Sequence, residues 1–579
     1  MFDRKTIIAM VLVGLVLLLL PKYYELVSPK KPAGQDYPSV KKPVSTDTVT
    51  AAPPPVPVTA PAEAVAAQTE GTTLGTDSIP INPELVSIET PLFQMTIGSN
   101  AQASRYTLKK YNIKPNSLIQ LHLARQEHRP TVGAVDFDFG RDNFKSIKNI
   151  SFRATKTSLN VSSGADSVTF SAVDSSGRSV LLTYIFDAER YGFVVALRTS
   201  GLRTPEIGEY KIHWLGGVPI TEMDSVRDLQ YAGSYAMVGE DIEKMTVGGD
   251  RKKEFNATGQ THFVAARSKY FMAALIPDEP AAGAELLGRN DAPKQKSSPH
   301  YYDLTLRQSW GTQAQGRWTV YWGPMKFDNL KALNVGLEET MNWGWQIIKP
   351  FSRLVLWALI GLHDYIPNYG IVILIFSVLI KLVLWPLTRK SQISMKKMAA
   401  LQPEIKNLRE LHSKNSQAMN QAIMALYKER GVNPMSGCIP LLLQMPLLYA
   451  LFIIFSSTIE FRQAPFILWI KDLSQPDFVA QLPFNIPMYG AAVAVLPLIM
   501  AITQFFMSKR TVTDPNQKFM LYFMPVFMLM IFNNLPSGLT FYYTLFNLLA
   551  IVEQQMIKVP DFTPSVEVVE EKRKGWRKK

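Results

Sequence analysis

The sequence predicts a polytopic α-helical membrane protein of six spans, five of them forming a core, with a large antiparallel β-sandwich on the outer side of the bilayer. Three observations predict it. An apolar run follows two positive charges at the N-terminus, a long middle section consists of short β-rich segments, and the remainder holds apolar runs of spanning length between loops of unequal positive charge.

At 579 residues the chain is too long for one compact unit. Its net charge of +13 comes largely from Lys and Arg flanking apolar runs, where positive charge sets orientation, so nucleic acid is a secondary reading. The one cysteine, Cys438, excludes a disulfide within the chain and a cysteine-based metal cluster, and reads as a small packing residue.

Residues 1–27 read as a membrane anchor. Arg4 and Lys5 precede the apolar run 7–20, which meets Pro21, Lys22, Tyr23 and Tyr24 without an Ala-x-Ala-like cleavage site. Residues 28–80, rich in Pro, Ala and Thr, read as a flexible linker. A β-sandwich domain is expected over 81–325, from segments such as 85–97, 118–123, 168–173, 179–186, 193–198, 270–276 and 317–322. Many of these alternate apolar with polar residues, and Gly, Asn, Asp and Ser separate them.

Residues 326–366 mix Trp343, Trp345 and Trp357 with Lys349, Arg353 and His363, a pattern that suits an amphipathic helix in the outer interface. A buried helix of the soluble domain is the alternative. Within 367–558 the runs 369–387, 439–456, 487–506, 519–532 and 539–556 can span. The loop 388–438 and the short loop with Lys509, Arg510 and Lys518 are strongly basic, whereas 459–482 holds Arg462 and Lys471 against Glu460, Asp472 and Asp477. The basic loops face the cytoplasm, which puts both termini inside and the β domain outside. In 391–430 apolar residues recur at helical spacing on either side of a break at 412–416, predicting a cytoplasmic helical hairpin. The end, 559–579, is a basic tail with Lys572, Arg573, Lys574, Arg577, Lys578 and Lys579, which fits lipid headgroups or ribosomal RNA equally.

Lys381 is the residue that calls for an explanation. It lies eight positions before Arg389, about 12 Å inside its span, where a charge is expensive and faces a partner or water. Glu553 is the one carboxylate in the five runs, near the inner end of the last, and not at the depth of Lys381. Three readings stand: a neutral packed lysine, a lysine pointing into water, and a pair with Glu553. Ser377, one turn earlier on the same face, and Gln444, Tyr542, Tyr543 and Thr544 on other spans favour water, as a groove open to the cytoplasm and the inner leaflet. Interhelical hydrogen bonds are the plainer role for each of these residues alone.

Several strings then carry a resemblance: KLVLWPLTR from Lys381 to Arg389, Leu401-Gln402-Pro403, Val432-Asn433-Pro434, Gln444-Met445-Pro446, Arg462-Gln463-Ala464-Pro465-Phe466, Thr513-Asp514-Pro515 and Pro536-Ser537-Gly538-Leu539 with Tyr542-Tyr543. In these the chain resembles the YidC/Oxa/Alb family of membrane protein insertases, in its Gram-negative form. The resemblance implies an inner-membrane insertase that is not an enzyme and needs no cofactor. Its implied partners are nascent membrane proteins, the Sec translocon, the ribosome and membrane lipids, and its implied outer domain has a supersandwich fold. Residues similar to client-contacting ones are Ser377, Gln444, Trp469, Tyr542 and Tyr543. The family usually places arginine where this chain has Lys381, which keeps the charge and loses bidentate pairing.

A transporter would show paired ionisable groups or matched broken helices, and a membrane enzyme a recognisable motif. No His-Glu-x-x-His, Gly-x-Ser-x-Gly or phosphate loop occurs, and all seven histidines lie outside the spans.

Overall fold

The computed structural model describes residues 85–124, 130–140, 146–413, 415–432, 439–511 and 518–557. The anchor run 7–20, the linker, Cys438 and the basic tail 559–579 lie outside the described residues.

Alternation builds the β domain. In Ser179–Asp187 the residues Val180, Leu182, Tyr184 and Phe186 are buried and their neighbours are not, so one face of the strand meets a core. This strand pairs antiparallel with Phe193–Ser200, which in turn pairs with Gln315–Pro324. The larger sheet has 13 strands and faces a smaller one of five. Tyr106 of the smaller sheet stacks on Trp322 of the larger at 4.0 Å and donates its hydroxyl to the Trp322 carbonyl at 2.8 Å. Trp214 meets Trp322 edge-on at 4.7 Å, so aromatic surface fills the space between the sheets. Gly192 is required at its turn: its φ is +95° and a Cβ would lie 1.9 Å from the Val320 carbonyl oxygen.

Two features differ from expectation. The segment 85–97 is a hairpin, Val86–Glu89 and Phe93–Ile97, because the Thr90 hydroxyl accepts the backbone N–H groups of Leu92 and Phe93 and turns the chain. The sandwich is also not wholly antiparallel, since Val86–Glu89 pairs parallel with Ser158–Asn160.

Beyond Pro324 the chain is helical. The short helix Phe327–Lys331 and a 3₁₀ turn, Leu337–Thr340, lead to α1, Lys349–His363, where Glu339 pairs with Lys349 and Arg353 at the helix start. α1 buries Val355, Leu356 and Leu359 and exposes the apolar Leu354 and Trp357. α2 is Tyr369–Ala400, capped by the Asn368 side chain, and it is the one described helix that is long and apolar enough to cross a membrane. It runs 13 residues past the expected end at 387, so the span and the start of the expected hairpin at 391 form one continuous helix. α3, Gln402–Leu411, and α4, Ser416–Glu429, form the hairpin, closed by Leu401, Ile405 and Val432 and by Arg430 on Glu404 at 3.1 Å.

The remaining helices are α5, Ile439–Ser457, α6, Val495–Thr511, α7, Lys518–Phe532, and α8, Ser537–Met556. The expected span 487–506 begins as something else. Its first part belongs to an exposed two-stranded hairpin, Phe478–Ile486 and Gly490–Ala494, because prolines 483 and 487 lack the N–H a helix needs and Gly490 has a φ of +92°. The helix starts at Val495, where the Asp477 carboxylate accepts the N–H groups of Val495 and Leu496.

The β domain is fastened to the helices through a buried ion pair. After α5, Arg462 reaches Glu222 at 2.7 Å and the Asn112 carbonyl at 2.6 Å, with the rings of Tyr270 and Phe271 beside its guanidinium. Burial pushes the Glu222 carboxyl up to about 7 in spite of Arg462, and burial does the same to Glu460 nearby.

Candidate functional site

The site is built by two helices that run the same way. Phe376 of α2 faces Tyr542 of α8 at 6.4 Å, Lys381 faces Phe546, and Thr388 faces Glu553, so the two helices descend in parallel and in register. At the lower end Lys396 donates to the carbonyls of Gln554 and Ile557 at 2.8 and 2.6 Å, which satisfies acceptors that the end of α8 leaves free.

Lys381 is buried, and its ammonium lies 2.7 Å from Oε2 of Glu553 and 4.2 Å from the centre of the Phe546 ring. The approach to Oε2 is off the hydrogen-bonding direction, so this contact is electrostatic, while Oε1 accepts the Thr388 hydroxyl at 2.6 Å. The favoured reading of a lysine pointing into water is therefore corrected: Lys381 is paired with the carboxylate judged too shallow to reach it. The reason is geometric. Thr388, level with Glu553, stands seven residues below Lys381, roughly 10 Å along the axis. Side chains on α8 tilt toward its outer end, which carries the Glu553 carboxylate upward, and the long lysine stem covers the rest.

The other predicted residues divide. Ser377 is fully buried one turn above Lys381, but its hydroxyl donates to the Ile373 carbonyl at 2.6 Å and is satisfied within its own helix. Gln444 of α5 and Tyr542 of α8 are buried, and Nε2 of Gln444 and the Tyr542 hydroxyl have no hydrogen-bond partner among the described residues. An unmatched buried polar group costs about 1–3 kcal/mol. The ring of Tyr543 packs on Phe532 at 5.3 Å. Trp469 stands apart on the outer loop after α5, where its indole N–H donates to Asp477 at 2.8 Å. Among the described residues no hydrogen bond or ring contact ties it to Lys381.

Asn547, Thr503 and Thr540, not expected from the sequence, complete the interior with Thr544 and Thr388. Asn547 donates to Thr503 at 3.4 Å and links α8 to α6, Thr540 and Thr544 hydrogen-bond their own helix, and Thr388 orients Glu553. With Ser537, these polar residues of α8 recur at helical spacing through an apolar run, a signal that was available. No group of three or more His, Cys, Asp or Glu that could hold a metal exists among the described residues.

Comparison with known proteins follows the same division of the chain. The family described as 60Kd inner membrane protein matches residues 361–562, and the YidC periplasmic domain family matches residues 85–355. The membrane protein insertase YidC of Chlorobaculum tepidum is 33% identical over 575 residues, covering 95% of this chain and 94% of that one. The corresponding protein of Chloroherpeton thalassium is 32% identical over 612 residues, with 99% and 98% covered. Among solved structures, an active YidC insertase with its first transmembrane domain resolved is 18% identical, with 82% of this chain and 93% of that chain covered and a TM-score of 0.34.

Proposed function

Because the chain belongs to the YidC family of membrane protein insertases, we propose that it moves nascent membrane proteins into the inner membrane through a hydrophilic groove between α2, α5 and α8. The family consists of insertases and not enzymes, so the task is to lower a solvation barrier. Lys381, Ser377, Gln444, Tyr542 and Tyr543 line the groove, which opens to the cytoplasm and to the bilayer, and Trp469 stands at its outer rim.

One observation carries this reading: an ion pair, Lys381 with Glu553, buried where the surrounding helices are apolar. A lone central charge costs about 2.5–3.5 kcal/mol on insertion scales, and a site that already holds balanced charge and unmatched donors receives a polar client segment at less than that cost. An acidic segment competes with Glu553 for Lys381, and uncharged polar groups use Gln444 and Tyr542. The groove thus holds its own counter-ion between clients.

The same reading has six spans, with α2, α5, α6, α7 and α8 as five of them and the run 7–20 as the other, and both termini in the cytoplasm. The domain bounds 1–27, 28–80, 81–325, 326–366, 367–558 and 559–579 belong to it. Larger clients arrive through the Sec translocon, and ribosomes dock on the cytoplasmic loops and on the tail at Lys572–Lys574 and Arg577–Lys579. Lipid headgroups compete for that tail.

Photo-crosslinking residues placed at 377, 444 and 543 during synthesis of a small membrane protein test the groove. Crosslinks to the nascent chain are expected from all three positions. Their absence, with crosslinks from lipid-facing Leu382 in their place, overturns the reading.

A further inference from the structure

The first strand of the hairpin, Phe478–Ile486, is exposed along nearly its whole length and the second, Gly490–Ala494, is half-buried, yet apart from Gln481 and Asn485 their side chains are apolar. Phe478, Val479, Phe484 and Met488 are each between 43% and 60% exposed. From Phe478 through Ser508 no Asp, Glu, Lys, Arg or His occurs, so the hairpin and the helix that follows it form one uncharged stretch. The two elements are continuous: the second strand ends at Ala494 and α6 starts at Val495.

Helix length adds a second argument. α6 has 17 residues, about 25 Å, against a hydrocarbon core of roughly 30 Å. Its apolar surface therefore ends short of the outer boundary, and the residues ahead of Val495 occupy the remaining depth. The hairpin is also held in place. Asn533, just past α7, donates to the carbonyls of Tyr489 and Ala492 and accepts the Ala494 N–H, and Asn534 donates to Met488 and Tyr489. These bonds fix its turn and its second strand to the end of α7.

We propose that this hairpin lies in the outer interface of the bilayer, with lipid as its occupant. Phe478 and Val479 are neighbours on one strand and so point to opposite faces, and both are exposed. A protein partner laid on a sheet covers one face, whereas lipid wets both. The absence of charge leaves nothing to pair with an acidic or basic partner. The open strand edges set the depth: unpaired backbone groups are not tolerated in hydrocarbon, so the strands lie at the level of the headgroups and upper acyl chains.

The inference rests on the membrane location of the family and is independent of the groove. The test uses the full chain, with Cys438→Ser, reconstituted alone in phosphatidylcholine–phosphatidylglycerol vesicles. Single cysteines Phe484→Cys and Met488→Cys carry an environment-sensitive fluorophore, and Ile207→Cys, on an exposed loop of the β domain, serves as the aqueous reference. Nitroxide-labelled lipid is expected to quench positions 484 and 488 at least about threefold more than position 207, with aqueous iodide showing the reverse order. Iodide quenching equal to that at 207 would place the hairpin in water. Protection from both quenchers would mean a protein contact, including one with a second copy. Either result overturns the proposal, and client crosslinks from position 444 report separately on the groove.

Discussion

The β domain and the helical region are packed in opposite senses. In the first, Trp214, Trp318 and Trp322 are fully buried and charged residues such as Lys156, Asp166 and Lys252 lie outside. In the second, Leu382, Val383, Ile502 and Val526 are each more than half exposed, while Ser377, Lys381, Asn547 and Glu553 are inside. Both obey the same physics. A surface matches its solvent and buried polar groups must be paired, so the inversion says that two solvents surround one chain. Apolar burial holds both regions together, but the second also presents apolar surface outward and sets an ion pair among its buried apolar residues.

Removing a partner from the helical interior is the strongest way to break this contrast. Glu553→Ala leaves Lys381 buried and unpaired and is expected to cost about 3–5 kcal/mol, read as a fall in thermal stability in lipid nanodiscs, together with loss of client insertion. The paired change Lys381→Met with Glu553→Leu is expected to recover the stability without the insertion. Insertion that persists in the pair would show that the charges serve packing alone.

Truncations of one apolar side chain in each region sharpen the difference in solvent. Trp322→Ala removes the ring that Tyr106 and Trp214 pack on and is expected to destabilise the β domain by about 3–5 kcal/mol, followed by its chemical unfolding. Leu382→Ala, on the lipid side and 62% exposed, is expected to change stability by no more than about 0.5 kcal/mol. Comparable losses at the two positions would mean that Leu382 is covered by protein.

The smallest effect belongs to the seam between the regions. The Glu222 and Glu460 carboxyls are raised to about 7 from an ordinary value of 4.5, burial being the largest cause in both. A carboxyl raised on folding contributes stability that is full below about 4.5 and is lost as pH rises through about 7. The melting temperature is therefore expected to rise by a few degrees between pH 8 and pH 5.5, and Glu222→Gln to flatten part of that slope. A wild-type protein that melts higher at pH 8 than at pH 5.5 would reverse the sign and show that pairing with Arg462 outweighs burial.

The two regions also differ in how far the sequence discloses them. Strands such as Ser179–Asp187 and Phe193–Ser200 were legible because both bury alternate residues in one core. The long strand Lys252–Arg267 was not, since along its first half only Phe255 and Ala257, both half-buried, alternate with Glu254, Asn256 and Thr258, and two apolar residues are too weak a pattern to read. Runs of apolar residues marked α5, α7 and α8, but composition does not separate the hairpin before Val495 from the helix after it. Lys381 was legible as a position and its pairing with Glu553 only as the less favoured reading, because counting residues measures the depth of a Cα, whereas charge sits at the end of a side chain. Asn547 and Thr503 went unread because a lone polar residue in an apolar run signals nothing until its partner on another helix is known.

α2 continues unbroken past the basic residues that end its apolar stretch, over 32 residues and about 48 Å. The helical hairpin α3–α4 sits at one end of this rod, Asn368 caps the other, and Lys381 is carried between them. Lys396 ties the rod to the last turn of α8, the helix that bears Glu553. Within α2 no loop separates the hairpin end from Lys381, so a displacement at that end is passed along the rod to the two helices that hold opposite charges, with Pro386 as the bend point inside it.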